Sequence, residues 1–170
     1  MGKYNICMQE YLQDKVRFAD LFNGVLFQGQ PVIQPEALSS ASEQYAVNKQ
    51  GAEAKRKHKD SGMRTRDIKM QLRSGTTLRI LAIENQAHVD YSMPLRCMEY
   101  DTLEYIRQLK ERKQENHNRL QSGELTMTPA ERLCGLLKSD RLVPVYTICL
   151  YHGKEPWDGP LRLQDLMDFE

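Results

Sequence analysis

No apolar run in the chain approaches the ~18 residues that a membrane-spanning helix needs. The first fifteen residues, MGKYNICMQEYLQDK, mix charge from the start and do not read as a signal peptide. Met1-Gly2 is followed by no Ser or Thr near position six, so the myristoylation pattern is missing too. The four cysteines, Cys7, Cys97, Cys134 and Cys149, form no CxxC pair. That argues against a thioredoxin-type motif or a cysteine zinc site, and scattered single thiols fit a reducing compartment such as the cytoplasm. Charge of one sign is also scarce. A net +1 gives no whole-molecule basic field, so any contact with nucleic acid must come from a local patch. The phosphate-cradling G-x-x-x-x-G-K-[ST] run is absent, and no Ser-His-Asp or Cys-His arrangement stands out.

What is present suits one domain over residues 1–170, long enough to bury a core. Residues 8–28 predict a helix, with Leu12, Val16, Ala19 and Phe22 in one stripe and Asn23-Gly24 as its stop. Residues 28–38, with two prolines, predict extended chain. Residues 40–60 predict a polar helix closed by Gly62. Residues 66–73 and 77–87 predict two strands joined by a tight turn. The helix after Ser92 is the clearest of all. Ser92 is its expected cap, Pro94 suits its first turn, and Leu95, Met98, Thr102, Ile106 and Leu109 make one stripe expected to pack on the sheet. A break is expected at Ser122-Gly123. A short helix follows, capped by Thr128 with Pro129 at its first position, and "LVPVYTICLYHG" reads as a strand. "LRLQDLMDFE" begins an amphipathic pattern just as the sequence stops, which points to a longer natural chain. The class is α/β.

The hairpin carries the chemistry. Side chains alternate along a strand, so Glu84 and Gln86 share a face with Leu78, Ile80 and Ala82. With Ser74-Gly75 as a two-residue loop, Arg73 faces Thr76 and Asp67 falls opposite Ala82. Asp67 then joins Glu84 and Gln86 on one face, diagonally, within roughly 7–8 Å between backbones. A loop of three residues reverses that parity. Two converging carboxylates suit magnesium, which takes one or two carboxylates, keeps waters and accepts substrate phosphate oxygens. Such an ion readies a water for attack on a phosphodiester, and Gln86 is placed to orient it. The plain alternative is that Asp67 starts a strand and Glu84 pairs with Arg66 or Arg79. Lys55, Arg56 and Lys57, with Arg66 beyond, form the one concentrated basic segment. It reads equally as a phosphate contact or as a solvated helix end. Arg96 and Tyr100 lie one helical turn apart with Arg107 near the same face, as phosphate contacts or as ordinary flanks of the stripe. His88 and Asp90 resemble a ligand pair without a convincing third member. His152 and Trp157 read as shaping a turn.

The order Asp67, hairpin, Glu84-x-Gln86, helix resembles a PD-(D/E)XK nuclease core. The wording "RTRDIKM", "LAIENQAHVDYSMPLRCMEYDTLEY", "FADLFNGVLF" and "PVYTICLYHGKEPWDGP" is similar to the bacterial recombination-promoting nuclease and transposase-related family (Rpn, YhgA-like), over most of residues 17–163. The resemblance implies a restriction-endonuclease-like fold, a central mixed β-sheet with a β-hairpin and flanking helices. It implies a magnesium-dependent DNA endonuclease of bacterial mobile elements and recombination, with manganese as a substitute ion. Asp67, Glu84 and Gln86 match the catalytic positions. Asp67 and Glu84, with Asp20 of "FADLFN", match the metal acids. Arg96 and Tyr100 become substrate contacts. Gln86 stands where the wider superfamily has lysine, so the competing expectation is a degenerate module that binds DNA or a protein without cutting. DNA is the expected partner, a homodimer is the assembly left open, and no membrane is expected.

Overall fold

The computed structural model describes residues 3–41, 44–46, 63–65, 67–74 and 77–169. Two helices open the chain, α1 (Lys3–Gln13) and α2 (Lys15–Phe27), where one was predicted. Asp14 makes the break. Its backbone is extended, and its carboxylate accepts the N–H groups of Val16 and Arg17, both at 3.1 Å, as the N-cap of α2. The break turns Val16 out to solvent, while Leu12, Phe18, Ala19 and Phe22 remain buried. Gly24 does not stop the helix. The chain leaves α2 through left-handed backbone at Gln28 (φ 54°) and Gly29 (φ 83°). Asn23 instead holds the returning loop: its amide donates to the carbonyl of Ile33 at 2.9 Å and accepts the N–H of Ile33 at 2.8 Å.

A 3-10 turn (Pro35–Ala37) leads into β1 (Leu38–Ser40). Strands β2 (Gln44–Ala46) and β3 (Met63–Thr65) pair antiparallel as a separate two-stranded ribbon. The predicted helix over 40–60 is therefore not formed at its start; residues 47–62, Lys55, Arg56, Lys57 and Gly62 among them, lie outside the described residues, as does Arg66. Then come β4 (Ile68–Ser74), β5 (Thr77–Gln86), α3 (Met93–Gln121), α4 (Pro129–Cys134) and β6 (Val145–Tyr151). The main sheet has the order β1-β4-β5-β6. β1, β4 and β5 are antiparallel neighbours, and β6 runs parallel to β5. A parallel pair needs a crossover, which α3 and α4 provide. The protein is thus α/β, a four-stranded mixed sheet flanked by helices. Among the described residues no helix is long and apolar enough to cross a membrane.

One sheet face is apolar. Leu38, Ile68, Met70, Leu72, Leu81 and Ile83 pack there with Leu12, Phe18, Phe22 and Ile33, and the Phe18 and Phe22 rings stack at 4.9 Å. Each such side chain contributes about 1.5–3 kcal/mol by leaving water. The other face sets Ile80 and Ala82 among the polar Lys69, Glu84 and Thr147, and α3 lies over it. Here the expectation for α3 is reversed. Leu95, Met98 and Ile106 are exposed, while Tyr100, Glu104 and Gln108 are buried. The cause is on the strands. Lys69 and Thr147 point at the helix, and buried polar groups must be hydrogen-bonded. Lys69 donates to Glu104 at 3.0 Å, Thr147 to Asp101 at 2.7 Å, and the Val145 and Val143 N–H groups to Tyr105 and Gln108. An apolar stripe facing that surface would leave them unmet.

The ends of α3 and α4 follow expectation. Gly123 (φ 79°) follows the break after Gln121. Thr128 and Glu131 form a reciprocal capping box with Pro129 in the first turn. Ser92 precedes α3 but donates its hydroxyl to Asp90 rather than capping a helix N–H. Near the end of the chain a 3-10 turn (Leu163–Leu166) stands where a helix was anticipated.

Candidate functional site

The hairpin pairs Arg73 with Leu78 and Ser74 with Thr77, two residues from the predicted register in which Arg73 faces Thr76. The shift moves Asp67 from the level of Ala82 to that of Glu84, since Ile68 pairs with Ile83. A shift of two residues leaves the parity of the paired strands unchanged. Asp67 lies just before β4, and its carboxylate is engaged twice. It accepts the backbone N–H of Asn85 at 2.7 Å and the amide of Gln9 at 3.0 Å. Glu84 is 1% exposed, at the level of Cys149 on β6. Gln86 is level with Tyr151. Asn85, between the two, points to the opposite face, where neither atom of its buried amide has a hydrogen-bond partner among the described residues.

Arg96 reaches this strand end from the first turns of α3. Its guanidinium pairs with Asp90 at 2.7 Å and lies 3.5 Å from the side-chain amide oxygen (Oε1) of Gln86. Asp90 is held below the usual carboxylate range. The Ser92 hydroxyl is the main cause; burial opposes it, and Arg96 adds to it. Burial alone would depress Arg96, but its bonds to Asp90 and Tyr100 raise it above the ordinary value. Arg96 therefore adjoins Gln86, with Tyr100 bonded to Arg96, and Asp90 acts as an anchor for Arg96. Cys149 reports the charge of the site. Burial first, and then the negative charges of Glu84, Asp90 and Asp67, push its thiol up to about 11, with Arg96 opposing.

Other expected residues stand elsewhere. Asp20 is exposed on α2, and the N-terminal side chain that meets Asp67 is Gln9 of α1. Among the described residues no three His, Cys, Asp or Glu side chains come close enough to hold a metal, so Asp20 does not complete a three-carboxylate set, and His88 with Asp90 gains no third ligand. Arg107 lies away from the acids, bonded to Glu104 and Glu111. His152 and Trp157 shape the turn after β6: the His152 N–H donates to the Gln86 carbonyl and the Trp157 indole to Gly159. A cleft of about 670 Å³ lies beyond Cys149, between α3, β6 and the C-terminal segment, with Cys97, Tyr151 and Trp157 in its wall.

Sequence reading did not anticipate Gln9 or Lys69. Gln9 lies 58 residues from Asp67, with nothing local to mark it. Lys69 was legible only as a strand residue on the face of Glu84. The donors present fit a hydrated divalent ion bound through one or two carboxylates, with water and phosphate completing the shell. They do not fit a cage built by the protein alone. Comparison with protein-family models, with curated proteins and with solved structures returns no match.

Proposed function

We propose that the chain is a metal-dependent DNA endonuclease with a restriction-endonuclease-like core, Asp67 and Glu84 as the ligands of a magnesium or manganese ion, and Gln86 and Arg96 as the groups facing the scissile phosphate. The observation that carries this reading is the Arg96–Gln86 contact beside Glu84. Glutamine cannot supply the charge that lysine gives at this position, and the guanidinium resting on its amide can. The element order of the main sheet supports the core: helices, three antiparallel strands, a crossover helix and a parallel strand, with the acids at the start of β4 and the end of β5. The recombination-promoting nucleases remain the family that the motifs resemble.

When bound, the divalent ion supplies Lewis acidity and a more acidic water. The chain's own groups do the rest. Gln86 orients the attacking water through its amide. Arg96, pinned by Asp90, presents N–H donors to a non-bridging phosphate oxygen and to the charge that grows there. Gln9 and the Asn85 N–H keep the Asp67 carboxylate in place. The test is plasmid cleavage with added magnesium or manganese. Wild type is expected to nick and linearise DNA, and Glu84→Ala to do neither while keeping its fold. Wild-type protein that leaves DNA uncut with either ion overturns the reading.

A second reading has its own support. Both Asp67 oxygens already accept hydrogen bonds, and Arg96 is already paired with Asp90. A module that binds DNA or a protein without cutting needs no more than that. Magnesium calorimetry separates the two: heat that vanishes in Glu84→Gln supports the enzyme, and no heat in either protein supports the binder.

A further inference from the structure

The cleft of about 670 Å³ beyond Cys149 opens beside the strand end that carries Glu84 and Gln86. Two aromatic rings stand in its wall. Tyr151 is level with Gln86 on the neighbouring strand, about 4.8 Å across. Trp157 meets the Tyr151 ring edge to face, with centroids 5.1 Å apart. Both side chains are half-buried rather than covered. Their polar edges are engaged inside the chain. The Tyr151 hydroxyl donates to the Glu155 carbonyl at 2.7 Å, and the Trp157 indole to the Gly159 carbonyl at 2.8 Å. Thr147, also in the wall, donates its hydroxyl to Asp101 at 2.7 Å. None of the three has a donor left for the edge of a ligand, so the rings offer their π-faces. The indole is also held in place: a Cβ at Gly159 would come within 3.2 Å of it, so bare backbone packs against the ring. Its order is set on folding and need not be imposed on binding.

A fixed aromatic wall without free donors suits a planar base and is tolerant of sequence, because every base has a π-face. The volume is that of a small-molecule pocket. A single nucleotide fits it, and a base pair still stacked in a duplex does not. We infer that the cleft takes one unstacked base of the DNA strand whose phosphate lies at Gln86 and Arg96, and that the chain therefore prefers single-stranded or locally opened DNA to duplex. The inference rests on the proposed site for the position of that phosphate. A base in a duplex must first leave its stack and its partner, which a base in a single strand need not do.

Trp157 is the one tryptophan of the chain, so its fluorescence reports on the cleft directly. The titration uses the whole chain and a short mixed-sequence oligodeoxynucleotide, single-stranded or annealed to its complement, with chelator present so that nothing is cut. The single strand is expected to quench Trp157 and to bind about tenfold more tightly than the duplex. Trp157→Ala, followed by anisotropy of a labelled strand, is expected to weaken binding about tenfold, the usual alanine effect for one stacked base, and Trp157→Phe to keep most of it. Leu161→Glu sets a charge that repels phosphate at the mouth of the cleft and is expected to weaken binding several-fold. Leu161 is 81% exposed, so circular dichroism is expected to stay unchanged. An unquenched Trp157, equal affinity for strand and duplex, or wild-type binding by both Trp157→Ala and Leu161→Glu overturns the inference. Plasmid cleavage with magnesium keeps the two readings apart. A protein that cuts while Trp157 stays silent retains the nuclease and loses the base cleft. One that is quenched by the strand and cuts nothing retains the base cleft and loses the nuclease.

Discussion

Cys149 is an internal electrometer for the two acids beside it. Thiolate is the form that alkylates, and a thiol pushed up to about 11 carries little of it at pH 8. Labelling of Cys149, followed by peptide mass spectrometry, is expected to lag behind that of Cys7 and Cys134, although all three side chains reach the surface. Glu84→Gln removes a repelling charge, so the thiol titrates lower and labelling at pH 8 speeds up several-fold. A divalent ion bound at Glu84 has the same sign of effect. An unchanged rate in Glu84→Gln would separate the carboxylate from the thiol. The Lys69–Glu104 pair makes a second residue-scale case. Burial raises Glu104, but hydrogen bonds from Arg107 and Lys69, the charge of Lys69 and a bond from Gln108 bring it from 4.5 down to about 2. A depressed carboxylate stabilises the fold above its unfolded value and loses that contribution as pH falls. The loss is therefore expected between about pH 4.5 and 2. Lys69→Met leaves a buried charge short of a partner and is expected to cost about 3–5 kcal/mol in urea unfolding. Lys69→Met with Glu104→Leu is expected to recover much of it.

At the scale of elements, the loop after α2 hangs on one side chain. Asn23 takes both backbone groups of Ile33, as a neighbouring strand would. Asn23→Ala leaves that N–H and carbonyl unmet in a buried place, at an expected cost of about 2–4 kcal/mol by denaturant titration. An effect below about 0.5 kcal/mol would mean that water replaces the amide. The turn after β6 has a similar dependence on glycine. A Cβ at Gly153 would run into the Tyr151 ring, whose hydroxyl donates to the Glu155 carbonyl and whose edge meets Trp157.

For the whole molecule, activity is where the proposed site meets its substrate. Cleavage is expected to require added metal and to fall at high salt, as phosphate contacts are weakened. Arg96→Ala is expected to lower the rate by about 10²-fold, the usual cost of one aligned donor to developing charge. Gln86→Lys alone sets a cation against Arg96 and is expected to add little. In the Arg96→Ala background the same lysine is expected to restore much of the lost rate. Supercoiled plasmid, assayed with the single and double variants together, decides this. A lysine that rescues nothing would remove charge replacement as the role of Arg96.

Local pattern by itself determined the hairpin, the long helix from Met93, the capping box at Thr128, the strand over Val145–Tyr151 and the presence of acids at strand ends. Each is written within a few residues, by alternation, by turn chemistry or by a cap. The face shared by Glu84 and Gln86 was legible for the same reason, since a shift of two residues in the pairing leaves parity intact. Only the tertiary structure decided which side of α3 is buried. Periodicity marks an apolar stripe but not what it will meet, and here the surface beneath the helix carried Lys69 and Thr147, which need hydrogen bonds more than the stripe needs cover. It also decided that Gln9, and not Asp20, meets Asp67, and that Arg96 rests on Gln86. Those contacts depend on how the broken N-terminal helix and the crossover helix lie on the sheet, and side chains brought together only by that packing leave no mark on neighbouring sequence.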